Sequence, residues 1–192
     1  MNAVEIIFLK EKSEHIPLKY SIIIYFCCMA NKMNHVYLHT GSNMGDRDDN
    51  LRQVNGLIEQ YIGNIKKASH LYETQAWGKT NQPDFINQAL WVETNHSPRE
   101  VLNNIFKIEE LMGRVRTEKW AERVIDIDIL LFNSLIINEK DLIIPHPHMQ
   151  ERNFVLVPLM EIAGEVVHPI LNLPIEDIYM DCKDSLDVLM LE

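Results

Sequence analysis

Between His35 and Phe132 the apolar residues switch repeatedly between a spacing of two and a spacing of three or four, which restricts the chain to a sheet with helices laid on it. HVYLHT (35–40) suits a short strand, and GSNMGDRDDN behind it reads as a turn leading into a helix. Leu51, Val54, Ile58 and Tyr61 fall on one face of that helix, which stops near Gly63. IKKASHLYET (65–74) alternates as a strand, QAWGKTNQPD is a polar loop, and FINQALWVET (85–94) is a further strand. Ser97-Pro98-Arg99-Glu100 forms a capping box with proline at the first helical position. Val101, Ile105, Ile108 and Met112 are the buried stripe of the helix it opens, and Gly113 stops it. A basic loop then leads to a strand ending at Phe132. The order β-α-β-β-α-β predicts an α+β, ferredoxin-like core, an antiparallel sheet with two helices on one face. The tail, 133–192, is expected to add a hairpin around Asn133-Ser134, a Pro/His-rich loop and a short helix from near Asn153.

The 192 residues, 46% hydrophobic, suffice for one compact domain of ordinary size. A formal charge of −10 argues against a general nucleic-acid binder, so an anionic ligand must be held by a local arginine cluster or by metal ions. Cys27, Cys28 and Cys182 make neither a disulfide framework nor a zinc spacing, and a reducing cytoplasm is the expected location. The apolar stretch from Ser21 to Ala30 falls short of the roughly 20 residues that span a bilayer. Glu5, Glu11 and Glu14 spoil the basic start of a signal peptide. Residues 1–33 are therefore expected to be an extension outside the fold, with the domain over 34–192, Met33 the working start, and no membrane association.

Within the last core strand, KWAERVIDIDILL (119–131) sets two acids where Ile or Val would fold better. Positions i and i+2 of a strand share a face, so Asp126 and Asp128 project together while Ile125, Ile127 and Ile129 point into the core. Two carboxylates this close raise each other's pKa unless a cation lies between them, which asks for a hard divalent metal such as Mg2+. The plainer alternative is an edge strand whose acids face solvent. Arg114, Arg116, Lys119 and Arg123 lie just before the pair in an otherwise acidic chain, and guanidinium groups bind phosphate oxygens in bidentate fashion. Phe85 and Asn87 share one strand face, an aromatic wall beside an amide, with Trp120 and Phe154 as further aromatics for a flat second substrate. His146 and His148 are candidate phosphate contacts, with a zinc pair as the alternative.

KWAERVIDIDIL (119–130), IPHPHMQERNFVLVPLMEIA (144–163), GSN (41–43) and NQPDFINQ (81–88) together resemble the 6-hydroxymethyl-7,8-dihydropterin pyrophosphokinase family, from His35 to Pro169. The resemblance implies transfer of the pyrophosphoryl group of ATP to a reduced pterin, with release of AMP, in folate synthesis. It implies that Asp126 and Asp128 ligate two Mg2+ ions bridging the phosphates of ATP, the co-substrate. Arg114 and Arg123 would contact the triphosphate and aid transfer, with Arg116 and Lys119 on a loop closing over it. Glu109, His146 and Arg152 would complete the ATP pocket. Phe85 and Phe154 would sandwich the pterin, Asn87 bond its edge, Trp120 close the pocket, and the backbone of Thr74, Gln75, Ala76 and Trp77 read the remaining edge. A monomer acting on small molecules is expected.

Ala121-Glu122 stands where many members have Gly-Pro, Lys119 where arginine is frequent, and Asp141 where some place a basic ATP contact. Strand parity also puts Arg123 opposite the aspartates, so it must swing round from the start of the strand. Two other classes stay open. A ferredoxin-like module that binds a small ligand without chemistry would share the fold but has no need of D-x-D beside an arginine cluster. A two-metal nucleotidyltransferase would use paired strand aspartates but should show a third metal-binding acid and release pyrophosphate.

Overall fold

The computed structural model describes residues 33–77, 82–114 and 122–191. The chain divides into two units between Lys32 and Met33. The N-terminal extension expected over 1–33 lies, but for Met33, outside the described residues.

Strand β1 (Asn34–Ser42) leads into helix α1 (Arg47–Tyr61), whose N-cap Asp46 accepts from the Asp49 backbone. Strands β2 (Asn64–Ala68), β3 (Tyr72–Thr74) and β4 (Phe85–Thr94) follow, then helix α2 (Pro98–Leu111) behind the expected capping box at Ser97 and Glu100. Strand β5 (Asp126–Phe132) is succeeded by β6 (Ile137–Glu139), β7 (Leu142–Ile144), α3 (Asn153–Ala163), α4 (Ile175–Asp181) and β8 (Val188–Met190). The main sheet runs β5-β1-β4-β3-β8, with β2 also paired to β4, all antiparallel.

Leu51, Val54 and Ile58 of α1 and Val101, Ile105 and Ile108 of α2 bury one face of the sheet against Val36, Leu38, Leu90, Val92, Ile127 and Ile129. Helices do not stop at one face, however. Val155, Leu156 and Leu159 of α3, with Ile175 and Ile178 of α4, pack on the other face against Ala89 and Leu131. The short helix expected near Asn153 is an eleven-residue element with apolar side chains on most of its circumference, which is why it is buried rather than peripheral.

The segment 65–74 is two strands rather than one. Both pair with β4, but Ser69, His70 and Leu71 oppose only Gln88 and Ala89, so one extra residue breaks the ladder. Ser69 occupies the break by donating N–H to the Ala89 carbonyl (2.9 Å) and accepting the Ala89 N–H on Oγ (3.0 Å). The expected hairpin is also relocated. Asn133, at φ 48°, turns the chain and closes back onto His35, while β6 pairs with β7 beyond it. Strand β5 ends the main sheet with β1 as its ladder partner, and the chain beyond Asn133 pairs β6 with β7 instead. Among the described residues, no helix is long and apolar enough to cross a membrane.

Candidate active site

Register places the functional side chains in rows across the face opposite α1 and α2. Asp126 pairs with Gly41, Gly41 with Asn87, and Asn87 with Tyr72; one step along, Asp128 pairs with His39 and His39 with Ala89. At the open end of this face lies a cavity of about 260 Å³. Gly41 forms part of its floor, where a Cβ would come within 2.8 Å of Asn87 Oδ1 and 3.6 Å of the Phe85 ring. A larger residue there would fill the space between the acidic and aromatic ends.

At the acidic end, Asp126 Oδ1 lies 2.7 Å from Arg114 Nη1, and its Oδ2 accepts from Arg123 Nη1. Arg114 also donates to Glu109, which is only 3% exposed and accepts the Ile127 N–H at 3.3 Å. Glu109 and Arg114 thus stand behind Asp126 and are not among the residues lining the cavity, whereas Arg123, Asp126 and Asp128 are. Strand β5 begins only at Asp126, and Asn43 grips the segment before it: Asn43 Oδ1 accepts the Arg123 N–H (2.7 Å) and Asn43 N–H donates to the Arg123 carbonyl (3.1 Å). That two-sided grip lets Arg123 escape strand parity and reach the face of the aspartates.

Burial, and then the neighbouring charge of Asp126, push the Asp128 carboxyl up to about 7, against the pull of Arg152 and Arg123. A pair of carboxylates on one face, one of them resisting ionisation through burial and the charge of the other, is a donor set that fits a hard divalent cation. His146 lines the cavity too, and its Nδ1 accepts the His148 N–H at 3.3 Å. Burial and then Arg152 lower its pKa to about 4. Among the described residues, no group of three His, Cys, Asp or Glu side chains is placed to hold a metal ion, which leaves the zinc alternative without a third ligand there.

The aromatic end is made by Phe85 at the start of β4 and Phe154 in the first turn of α3. Asn87, 2% exposed, donates to Thr74 Oγ1 at 2.7 Å, which orients its amide. Thr74, Gln75 and Trp77 border the cavity, and Ala76 does not. The Arg152 guanidinium stacks over Trp77 at 4.7 Å and Phe154 at 5.7 Å, so it joins the two ends. Arg116, Lys119 and Trp120 lie outside the described residues.

Sequence reasoning missed His39, Gln82 and the parts played by Gly41 and Asn43. GSN was legible as a motif, and Gly41 on a strand could have been read as a close approach. His39 shares the face of Gly41 by the period of two, but the run HVYLHT carries no signal that it is 4% exposed beneath a cavity. Burial brings its pKa down to about 4.

An open sheet end that sets paired carboxylates and guanidinium groups beside an aromatic slot suits a transferase handling a polyphosphate and a flat ring. The sequence profile of the 7,8-dihydro-6-hydroxymethylpterin-pyrophosphokinase (HPPK) family matches residues 37–164, and the chain belongs to this family. It is 41% identical over 145 residues to the 2-amino-4-hydroxy-6-hydroxymethyldihydropteridine pyrophosphokinase of Aquifex aeolicus, covering 76% of this chain and 90% of that one. Against the Bacillus subtilis enzyme of the same name, identity is 43% over 136 residues, covering 70% and 81%. A crystal structure of Plasmodium falciparum HPPK-DHPS superposes with a TM-score of 0.63 at 22% identity, which shows the fold. The match takes in 79% of this chain and 45% of that one, so this chain spans under half of the fused protein.

Proposed function

We propose that this chain transfers the pyrophosphoryl group of ATP to the hydroxymethyl group of 6-hydroxymethyl-7,8-dihydropterin and releases AMP, a step of folate synthesis. The observation that carries the reading, beside family membership, is the juxtaposition of Asp126, Asp128 and Arg123 with Phe85, Asn87 and Phe154 around one cavity. Asp126 and Asp128 are the residues that would hold two Mg2+ ions, which when bound neutralise charge on the triphosphate. Arg123, Arg114 and Arg152 supply fixed positive charge at the same end, and Glu109 acts through Arg114. Arg116 and Lys119 belong to the loop proposed to close over the phosphates, and Trp120 to its inner side.

Phe85 and Phe154 stack the pterin, and Asn87 bonds its edge together with the backbone from Thr74 to Trp77. The pterin hydroxyl oxygen attacks the β-phosphorus in line. A new O–P bond forms as the bond from the β-phosphorus to the α,β-bridging oxygen breaks; AMP takes the electron pair and the hydroxyl proton passes to solvent. Positioning and electrostatic stabilisation supply most of the acceleration. The enzyme works as a cytoplasmic monomer on small molecules, without nucleic acid or membrane.

Incubating the chain with Mg-ATP and the hydroxymethyl-pterin, and identifying the nucleotide product, tests this. AMP formed one for one with pterin diphosphate supports it. Pyrophosphate release favours the nucleotidyltransferase reading, and unchanged ATP favours a binding module.

A further inference from the structure

His39 lines the cavity, on the strand next to that of Asp128 and against the first turn of α3 at Phe154. Its Nε2 lies 3.3 Å from the Phe154 carbonyl oxygen, and the rings meet at 5.7 Å with a tilt of 59°. A carbonyl only accepts, so this bond needs the hydrogen on Nε2. The reason that the carbonyl is available lies in the sequence of α3. In an α-helix the Phe154 carbonyl would accept the N–H four residues on, but that residue is Pro158, inside the helix and without an N–H. Pro158 therefore leaves one partly buried acceptor in the first turn of α3 without its donor four residues on. A carbonyl partly shielded from water and left without a donor is costly, and His39 meets it from the sheet below.

We propose that His39 is a positioning residue for the flat substrate: it donates to the Phe154 carbonyl that Pro158 leaves open, and so fixes the seat of the Phe154 ring above the floor carrying Asn87. The pairing ties the wall of the aromatic slot to the strand that neighbours the acidic end. At the phosphate end, Arg123 and Asp126 are held by their own ion pair and by the grip of Asn43 on the Arg123 backbone, and neither hydrogen-bonded support runs through this link. The proposal rests on the assignment of Phe85 and Phe154 as the pterin slot.

Three variants of the full chain decide it. Glutamine places an N–H near the histidine Nε2 and keeps the bond, asparagine is too short to reach, and alanine removes both bond and ring contact. Pterin affinity should fall about tenfold in His39→Ala and His39→Asn and by no more than about threefold in His39→Gln, with the affinity for a non-hydrolysable ATP analogue changed by less than about twofold throughout. Under steady state the loss should appear mainly in the pterin KM. If His39→Ala does not fold, the contrast between glutamine and asparagine still decides. Parent-like pterin affinity in folded His39→Ala, equal losses in the Gln and Asn variants, or a lower melting temperature with normal pterin affinity would each overturn it. Phe154→Ala is the control for the slot itself: a parent that binds pterin and a Phe154→Ala protein that binds equally well would sink the slot assignment and this proposal with it. Weakened Phe154→Ala with unaffected His39→Ala sinks this proposal alone.

Discussion

The two faces of the main sheet are made by alternate residues of the same strands, yet one is apolar under α1 and α2, while the other divides between a second apolar core under α3 and α4 and the polar cavity. Leu38, Leu90, Ile127 and Ile129 lie under α1 and α2 and are at most 7% exposed. Burying such side chains contributes about 1.5–3 kcal/mol each. On the opposite parity of the same strands, His39, Asn87, Asp126 and Asp128 face the cavity, where burial and the charge of Asp126 both resist ionisation of Asp128. The same backbone ladder carries both faces, so the apolar side can hold the strands in register while the polar side keeps a destabilising charge arrangement in place. Stability and chemistry are separated here by a single step of strand parity.

That separation can be broken most severely from the polar side. Asp126→Asn and Asp128→Asn should each lower Mg2+-dependent AMP release by roughly 10²–10³-fold or more while pterin binding survives, as measured by product formation and by pterin titration. Slower chemistry with intact folding keeps the two faces distinct. A collapse of folding would merge them.

The converse substitution comes next in size. Ile127→Ala, between the two aspartates but on the opposite face, should cost about 2–5 kcal/mol in denaturant unfolding and leave kcat/KM of the folded enzyme within a few-fold. A large loss of turnover in a stable Ile127→Ala protein would show that the apolar face also shapes the site. Phe154→Ala should weaken pterin binding by about 1–3 kcal/mol and leave nucleotide affinity nearly unchanged. The reverse emphasis, a lower melting temperature with normal pterin affinity, would assign that ring to the core beneath α3. The smallest effect is expected outside the sheet: a chain beginning at Met33 should match the full chain in turnover, and a clear loss would extend the functional unit beyond residues 34–192.

How much of this was legible in the sequence follows the range of the forces involved. Strand β4 and the capping box at Ser97 are specified by residues within a few positions of one another, and both stand where the spacing placed them. The acidic pair was legible for the same reason, since parity along one strand needs no partner. The break at Ser69 was not, because it depends on the pairing of β2 and β3 with a strand far along the chain. Helix α4 and strand β8 are short and draw their stability from α3 and β3, neither of which a local pattern reveals. Arg123 defied parity because Asn43, 80 positions away in sequence, holds its backbone. His39 was invisible for a related reason: its partner is a carbonyl made available by a proline in a different element.

The most direct test of the separation is the melting temperature of the parent and of Asp128→Asn across pH, in chelator and then with Mg2+. The folded-state pKa of Asp128, about 7, stands above the ordinary 3.8, so its contribution favours folding at low pH and is lost as pH rises from there through about 7. His39 and His146, lowered to about 4, act with the opposite sign over part of this range but are present in both proteins, so the difference between the two isolates Asp128. The account predicts that, in chelator, the parent melts progressively below Asp128→Asn as pH climbs through this window, and that Mg2+ narrows the gap by raising the parent alone. An Asp128→Asn protein that melts far below the parent near pH 8 without metal would contradict it, because Asp128 would then be a stabilising, structurally satisfied carboxylate.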